Sequence, residues 1–368
     1  MGRKLQHFDN KTFGIEGFEE LYSLINPETW MLVCDKSFEF LPQRIRDIYN
    51  RHKDNCVVFN DFEPNPKYES VVKGIELFSK SKSCLIVAIG GGSTIDVAKC
   101  IKLFSGLDGN ELLFKQKPNY VFISNINLIA LPTTAGTGSE STKHAVIYYD
   151  GVKQSICDSE IIPDAVILDP TALEKLPLLH KKAAMLDALC QACESWWSNG
   201  ATPKSIEYSK YAISYIVDQW ELYIDGEQHA AETILRAANN AGRAINITKT
   251  TAAHAMSYKL SSMYKLPHGI SVALCFPIVW RHMLKKADDR LMKVFNDIAL
   301  CFHKLDVESA INYFEKMLLK LDIKKPVSDN KDNDVAVLVD SVNPERLSNN
   351  PIQFTKEELK EMYEEIIK

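Results

Sequence analysis

Short apolar runs alternate with amphipathic stretches from about residue 30 to residue 170, and this alternation constrains the fold most strongly. The runs are, in order, WMLVCD, NCVVFND, SCLIVAIGGG, NINLIALPTT, HAVIYYDG and AVILDP. Strands separated by helix-length segments predict a parallel sheet, because parallel neighbours need long crossover connections. Loops at the strand ends of such a sheet are available to a nucleotide. We therefore predict an α/β, Rossmann-like dinucleotide-binding domain.

The sequence pattern changes after Asp169 and Pro170. Long helical patterns follow with few strand-like runs, including LDALCQACESWWS, YAISYIVDQWELY, AAETILRAANNAGRAIN and SAINYFEKMLLKL. A chain of 368 residues exceeds what one hydrophobic core usually organises. We predict a dinucleotide-binding domain over residues 1–172 and an all-helical domain over residues 173–368, with the active site between them.

Charge and composition exclude several classes of protein. A net charge of −5 gives no broad electrostatic reason to bind nucleic acid or an anionic membrane surface. The first residues, MGRKLQHFDNKTFGIEGFEEL, lack the apolar core of a signal peptide or spanning helix, so a cytoplasmic protein is expected. The nine cysteines are interpreted as reduced thiols, with Cys190 and Cys193 as small buried residues of a helix.

A glycine turn stands between a strand and a helix in the run LIVAIGGGSTIDVAK. The residues at this turn are Gly90, Gly91, Gly92 and Ser93. Glycines allow backbone N–H groups to approach a pyrophosphate, and a helix N-terminus favours its negative charge. The alternative is a tight connection between strand and helix without a ligand.

A second loop, LPTTAGTGSE at residues 131–140, strengthens the nucleotide interpretation. It follows an apolar strand and offers hydroxyl and backbone donors to ribose or phosphate, with side chains Thr133, Thr134, Thr137 and Ser139.

Asp35 ends the strand-like run WMLVCD. Its carboxylate can accept hydrogen bonds from both hydroxyls of an adenosine ribose, and its charge would repel a 2′-phosphate. NADH is therefore favoured over NADPH. Asp35 can equally be a solvated turn residue before Lys36.

Four side chains of the helical half predict a metal site. His254 and His268 stand fourteen residues apart, and Asp187 and Gln191 lie one helical turn apart on one face. Asp187 could instead cap the N-terminus of its helix. A metal on a carbonyl oxygen draws electron density from the carbon, and a nicotinamide supplies the hydride. The second domain is therefore predicted to bind metal and substrate.

Four motifs together, GGGSTIDVAK, LPTTAGTGSE, DALCQACESWWS and the histidine pair ending in PHG, resemble the iron-containing, group III alcohol dehydrogenase family. The resemblance covers essentially the whole chain. It implies an N-terminal dinucleotide-binding domain, a C-terminal helical domain, one divalent metal (Fe²⁺ or Zn²⁺) in the cleft, and a homo-oligomer, often a homodimer. The substrate would be a small aldehyde or alcohol.

The resemblance also implies roles for individual residues. The positions that match family metal ligands are Asp187, His254 and His268. Those that match cofactor contacts are Asp35, the glycine turn with Ser93, Thr133, Thr134 and Thr137, and Lys153, a basic position near the nicotinamide.

Two positions depart from the family pattern. Gln191 stands where the family commonly has a histidine ligand, and a neutral amide oxygen selects Fe²⁺ or Zn²⁺ less well than an imidazole does. Tyr258 stands one turn after His254, where many members carry another histidine. Its hydroxyl could deliver a proton, or the side chain could simply pack.

Both departures, with NITKTTAAHAMSYKL and SVNPERLSNNP, look like the phosphonoacetaldehyde reductase branch of the family, which makes 2-hydroxyethylphosphonate in phosphonate biosynthesis. On a continuous helix, Thr250 and Thr251 would lie one turn before His254 and donate hydroxyls toward the substrate. Lys249 would add positive charge, although it would point about 140° away from His254 and could be solvated.

Three alternatives remain open from the sequence. The first is a general short-chain alcohol dehydrogenase of group III. The second is a sugar-phosphate cyclase of the dehydroquinate synthase type, which regenerates its cofactor in each turnover and would show no net NADH consumption. The third is a non-catalytic scaffold that lost its metal through Gln191, which stoichiometric metal would exclude.

Overall fold

A computed structural model describes residues 11–14, 17–25, 29–105 and 126–368 of the chain. The chain forms two units, of which the first ends at Leu176 and the second begins at Pro177. The first unit contains the strands and the second is helical. This arrangement confirms the predicted fold class.

The first unit alternates strands with helices along the chain. Strands β1 to β8 span Lys11–Phe13, Trp30–Cys34, Cys56–Phe59, Leu85–Gly90, Asn127–Pro132, His144–Tyr149, Val152–Cys157 and Ala165–Ile167. Helices α1 to α4 span Gly17–Ile25, Gln43–His52, Tyr68–Ser81 and Gly92–Ser105.

The main sheet of the described segments has six parallel strands in the order β1-β8-β5-β4-β2-β3. Its strands β2, β4 and β5 are buried at every residue, as expected for strands with both faces covered. The register pairs Gly90, the last residue of β4, with Pro132, the last residue of β5. The glycine turn and the threonine-rich loop therefore leave the same edge of the sheet side by side.

The run HAVIYYDG lies outside the parallel sheet, which corrects the prediction for this segment. It forms β6 and pairs antiparallel with β7. Asp150 and Gly151 connect the two strands with φ values of 48° and 73°, the backbone of a type I′ hairpin turn. A two-residue turn cannot provide the crossover that a parallel pair requires.

The second unit is built around one central helix. Helices α5 to α14 span Leu178–Trp197, Pro203–Asp225, Gln228–Thr248, Ala252–Tyr264, His268–Leu284, Asp289–Cys301, Val307–Lys320, Lys331–Ser341, Pro344–Leu347 and Lys356–Ile366. Every residue of α5 from Met185 to Trp197 is buried, including Cys190 and Cys193 as predicted. In the described segments we find no helix that combines the length and hydrophobicity of a transmembrane span.

Candidate active site

The buried part of α5 carries three polar side chains on one face. Asp187, Gln191 and Glu194 follow one another at intervals of four and three residues, and all three are buried. Since α5 begins at Leu178, Asp187 stands inside the helix, which excludes the alternative that it caps the N-terminus. A buried carboxylate is costly unless other groups compensate for it, so the neighbours of Asp187 are informative.

Two histidines from other helices converge on Asp187. Nε2 of His254, on α8, lies 3.2 Å from Oδ1 of Asp187, and Nε2 of His268, the first residue of α9, lies 3.8 Å from the same oxygen. One candidate ligand atom from each of the three residues lies within 4.8 Å of the others. The side chains of Asp187 and His254 are 3% exposed, whereas that of His268 is 38% exposed. The cluster is therefore open on the side of His268.

Gly269 permits α9 to approach α5 this closely. A Cβ atom at this position would lie 1.9 Å from the carbonyl oxygen of Ala183 and 2.8 Å from Cβ of Asp187. Any side chain would therefore separate the two helices at the point where His268 meets Asp187. This contact gives the glycine of the PHG motif a packing role.

Glu194, which was not among the residues predicted from the sequence, contacts the ring nitrogen of His254 that faces away from Asp187. Its Oε2 contacts Nδ1 of His254, so Nε2 is the nitrogen that remains for a metal. Burial would lower the pKa of His254, but the charges and hydrogen bonds of Glu194 and Asp187 outweigh burial and raise it to about 9. The sequence signal for Glu194 was its position, three residues after Gln191 on the same face of an apolar helix.

Gln191 supplies an oxygen with no partner in the described protein. Its Nε2 donates to Oδ2 of Asp187 at 3.0 Å, while its buried Oε1 has no hydrogen-bond partner among the described residues. A buried polar atom without a partner is costly and requires an explanation. One carboxylate, two imidazoles and an amide oxygen are a reasonable donor set for a divalent cation. The residues present therefore fit a metal.

The segment before His254 is not the continuous helix that the sequence analysis assumed. Helix α7 ends at Thr248 and α8 begins at Ala252. Between them, Lys249 has a φ of 63°, which interrupts the helix. The predicted angle of about 140° between Lys249 and His254 assumed one continuous helix and therefore does not apply. Thr250 and Thr251 therefore do not share a helix face with His254, and Lys249 is exposed.

Thr251 faces the interior rather than a substrate. Its hydroxyl donates to Oε1 of Glu194 at 2.8 Å and accepts from Nε1 of Trp197 at 2.9 Å. Its backbone N–H also donates to Glu194, at 3.1 Å. These bonds correct the predicted substrate contact: Thr251 helps to hold Glu194, which in turn holds His254.

Tyr258 lies beside the open histidine of the cluster. Its ring stacks on that of His268, with centroids 5.5 Å apart and an interplanar angle of 6°. Its hydroxyl accepts a hydrogen bond from Nη1 of Arg346 at 2.6 Å and shares another with the Thr250 side chain. Burial raises the pKa of Tyr258, and the Arg346 charge partly offsets this effect. The phenol therefore keeps its proton at neutral pH.

The motif that contains Arg346 also fixes the linker between α7 and α8. The side-chain amide of Asn349 donates to the backbone oxygens of Thr248 and Thr250 at 2.8 and 3.0 Å. Thus the segment SVNPERLSNNP, which the sequence analysis quoted without assigning roles to its residues, holds Thr250 beside Tyr258.

In the first unit, the glycine turn and the threonine-rich loop pack on each other. A Cβ atom on Gly90 would lie 2.3 Å from the Thr94 hydroxyl oxygen, and one on Gly92 would lie 2.8 Å from that of Thr137. A Cβ on Gly91 would meet only the Thr134 side chain, at 3.3 Å. Gly92 begins α4, so the turn presents a helix N-terminus, as predicted for phosphate binding.

The remaining residues of these two loops differ in exposure. Thr133 is buried, and its N–H donates to the carbonyl oxygen of Gly90 at 3.0 Å. Thr134 and Ser93 are half-buried, and Thr137 is exposed. Ser139 donates to Asp96 at 2.6 Å, so its hydroxyl has a structural partner.

Asp35 follows β2, where its carboxylate stabilises the next turn of the chain and also contacts the helix that follows the glycine turn. Its Oδ1 accepts from the N–H of Ser37 at 2.7 Å, and its Oδ2 accepts from the Thr94 hydroxyl at 3.1 Å. Each carboxylate oxygen can accept a further hydrogen bond. The half-buried carboxylate can therefore serve as a turn residue and still bind a ribose.

Lys153 lies on β7, opposite Tyr148 of β6. Its charge acts on Asp96 of α4. Burial raises the pKa of Asp96, and the Lys99 charge, the hydrogen bonds from Ser139 and the Val146 N–H, and last the Lys153 charge counteract this rise. Lys153 is half-buried, so its ammonium group is near α4 and not on a remote surface.

The chain matches two descriptions of one protein family. Residues 10–170 match the family described as "Iron-containing alcohol dehydrogenase". Residues 181–367 match "Fe-containing alcohol dehydrogenase family, C-terminal". The two matches follow one another along the chain and include every residue of the clusters and loops described above.

Characterised proteins resemble the chain over most of its length. Alcohol dehydrogenase 4 of Saccharomyces cerevisiae is 29% identical over 330 residues, which cover 87% of this chain and 85% of the yeast protein. The 4-hydroxybutyrate dehydrogenase of Clostridium kluyveri is 29% identical over 292 residues, covering 76% and 78%. The solved structure of an iron-containing alcohol dehydrogenase from Thermococcus thioreducens superposes with a TM-score of 0.88 at 25% identity, covering 98% of both chains.

Proposed function

The chain belongs to the iron-containing alcohol dehydrogenase family, an oxidoreductase family whose activity is metal-dependent and nicotinamide-linked, and we propose that it reduces phosphonoacetaldehyde to 2-hydroxyethylphosphonate. The observation that carries the reductase chemistry is the cluster of Asp187, His254 and His268 beside the unpartnered oxygen of Gln191. The narrower substrate is supported by Gln191 and Tyr258 and by the two motifs that resemble the phosphonoacetaldehyde reductase branch.

In this proposal Asp187, Gln191, His254 and His268 hold one divalent metal, Fe²⁺ or Zn²⁺. When bound, the metal would polarise the carbonyl group of the aldehyde and favour its reduction. Glu194 acts by fixing the ring orientation and tautomer of His254. Asp187 and His254 are buried, so they exclude water from one side, and the exposed His268 faces the side that a substrate can enter.

The proposed cofactor is NADH, which supplies the hydride. The turn from Gly90 to Gly92, with Ser93, would bind the pyrophosphate through backbone N–H groups at the start of α4. Asp35 would accept hydrogen bonds from the adenosine ribose and disfavour the 2′-phosphate of NADPH. The remaining proposed cofactor contacts are Thr133, Thr134, Thr137 and Lys153.

Tyr258 is the proposed proton donor. Reduction adds a hydride to the carbonyl carbon and a proton to the oxygen, so a protonated group is required near the carbonyl. The Tyr258 hydroxyl accepts from Arg346, carries its own proton and lies on the ring that stacks on His268. The Tyr258 phenol therefore adjoins the cluster through its ring contact with His268.

The experiment that tests this function measures NADH oxidation by enzyme loaded with Fe²⁺ or Zn²⁺. Phosphonoacetaldehyde is compared with propanal and lactaldehyde at equal concentration. We expect kcat/KM for phosphonoacetaldehyde to be higher by about 10- to 100-fold, the effect of one charge-assisted hydrogen bond. A preference for the uncharged aldehydes would favour a general short-chain alcohol dehydrogenase. The exposed position of Lys249 also supports this alternative, because Lys249 was the predicted source of positive charge for the phosphonate.

A further inference from the structure

Arg346 is a half-buried cation whose part in the reductase chemistry described above is limited to its hydrogen bond to the Tyr258 hydroxyl. It lies on the short helix α13, and its side chain packs on Tyr258 of α8. Nη1 donates to the Tyr258 hydroxyl at 2.6 Å, and the guanidinium carbon lies 4.6 Å from the centroid of the tyrosine ring. The phenol is neutral, so this contact leaves the positive charge uncompensated.

Two other arginines with described side chains are neutralised by carboxylates. Arg44 binds Asp169 through two nitrogens, and Arg281 binds Glu315 through two nitrogens. Among the side chains that the structure describes, no carboxylate oxygen lies within 4.0 Å of an Arg346 nitrogen. A guanidinium group has several N–H donors in a fixed plane, and Arg346 uses one of them on the described protein. The others suit a planar or tetrahedral oxyanion.

The Arg346 charge is connected to the candidate metal cluster through one residue, Tyr258. Tyr258 contacts Arg346 through its hydroxyl and ring face, and it stacks on His268, the exposed member of the cluster. The Thr250 hydroxyl reaches the same phenol oxygen. One tyrosine therefore joins the open side of the cluster to a cation with spare donors.

We infer that Arg346 forms a subsite for the anionic group of the substrate, beside the Tyr258 hydroxyl that is proposed to deliver the proton to the carbonyl oxygen. The ligand class is a short aldehyde with a phosphonate, sulfonate or carboxylate group near its carbonyl. This inference rests on the proposed function, because it assumes that the carbonyl lies at the cluster. It assigns to Arg346 the positive charge that the sequence predicts at Lys249.

The test compares Arg346→Met and Arg346→Lys with Lys249→Met and with Arg290→Met, a control that removes an exposed arginine from the same unit. All are prepared as metal-loaded enzymes, and circular dichroism checks their folding. For Arg346→Met we expect kcat/KM to fall about 10- to 100-fold more for phosphonoacetaldehyde than for propanal. Calorimetry should show a matching rise in the Kd of 2-hydroxyethylphosphonate, with a smaller rise for Arg346→Lys, which keeps the charge but loses the planar fork.

Two outcomes would overturn the inference. One is an equal loss for both aldehydes with unchanged affinity for 2-hydroxyethylphosphonate, because Arg346 would then act only as support for Tyr258. The other is a selective loss in Lys249→Met and none in Arg346→Met, because the anion would then bind at Lys249.

The same variants separate this inference from the proposed function. If the wild-type enzyme does not prefer phosphonoacetaldehyde over propanal, the proposed substrate is wrong, and sulfoacetaldehyde and succinate semialdehyde are assayed next. A selective loss for either of them in Arg346→Met would support the subsite with a different anion. No selective loss for any anionic aldehyde would overturn it. If the wild type prefers phosphonoacetaldehyde and Arg346→Met keeps that preference, the function stands and the subsite does not.

Discussion

The glycine turn of the first unit and the metal cluster of the second are built from different parts of the chain. The turn consists of consecutive residues, and its chemistry lies in backbone N–H groups that the absence of Cβ atoms leaves accessible. The cluster draws Asp187, His254 and His268 from three helices, and its chemistry lies in side chains that only helix packing brings together. A site that binds through backbone N–H groups tolerates substitution of neighbouring side chains but not the addition of a Cβ atom to its glycines. A site that binds through side chains depends on each of the residues that supply them.

The largest expected effect tests the dependence of the cluster on single side chains. His254→Ala removes one proposed ligand and takes from Oε2 of the buried Glu194 the imidazole that it contacts. We expect loss of bound metal, measured by elemental analysis, and a fall in kcat of at least about 100-fold. His303→Ala is the control, because His303 pairs with Asp218 at the surface. A His254→Ala enzyme with stoichiometric metal and normal kcat would contradict the proposed centre.

The next effect concerns Glu194, the carboxylate that contacts the proposed ligand His254. Glu194→Gln keeps the shape but removes the charge that holds Nδ1 of His254, so we expect the Kd for Zn²⁺ to rise by about 10- to 100-fold in chelator competition. Glu365→Gln is a matched control, because Glu365 pairs with His282 at a half-exposed site. Equal zinc affinity in the Glu194 variant and the wild type would show that the cluster does not need this carboxylate.

A smaller effect tests the backbone site. In Gly90→Ala the new Cβ would overlap the Thr94 side chain, so we expect a loss of about 1–3 kcal/mol in the free energy of unfolding. In Gly91→Ala the new Cβ would meet only the Thr134 side chain, with its methyl group at 3.3 Å and its hydroxyl oxygen at 3.6 Å. The unfolding free energy should therefore stay within about 1 kcal/mol of wild type, while the Kd for NADH rises. Equal destabilisation by both substitutions in denaturant unfolding would contradict the packing described here.

The smallest expected effect concerns the choice of cofactor. Asp35→Asn keeps an acceptor for the Ser37 N–H but removes the charge that would repel a 2′-phosphate. We expect the NADPH to NADH ratio of kcat/KM to rise roughly threefold to tenfold, as for a charge effect at a half-exposed site. Asp158→Asn is the control, since Asp158 caps a turn elsewhere in the unit. An unchanged ratio in Asp35→Asn would place the ribose away from this carboxylate.

The glycine turn could be predicted from the sequence more completely than the metal cluster, because the turn is built from consecutive residues and the cluster from distant ones. The strands, the glycine turn and the helical second half follow from local patterns, because hydrophobic periodicity and glycine geometry act over a few residues. The hairpin of β6 and β7 was also encoded locally, in the Asp150-Gly151 turn, but the sequence analysis read its first strand as part of the parallel sheet. The helix break at Lys249 carried no comparable signal, since a lysine with positive φ is uncommon.

Long-range contacts account for what the sequence analysis missed at the cluster. Residue type and order were sufficient to assign the fold class and the family and to select Asp187, His254 and His268 as candidate ligands. Glu194, Thr251, Gly269 and Arg346 acquired their roles only in the folded chain. Each acts through a partner at least 57 residues away in the sequence, as the bond from Thr251 to Glu194 illustrates. Such roles depend on which helices pack together, and hydrophobic packing between distant segments is a property of the tertiary structure, not of any local run of residues.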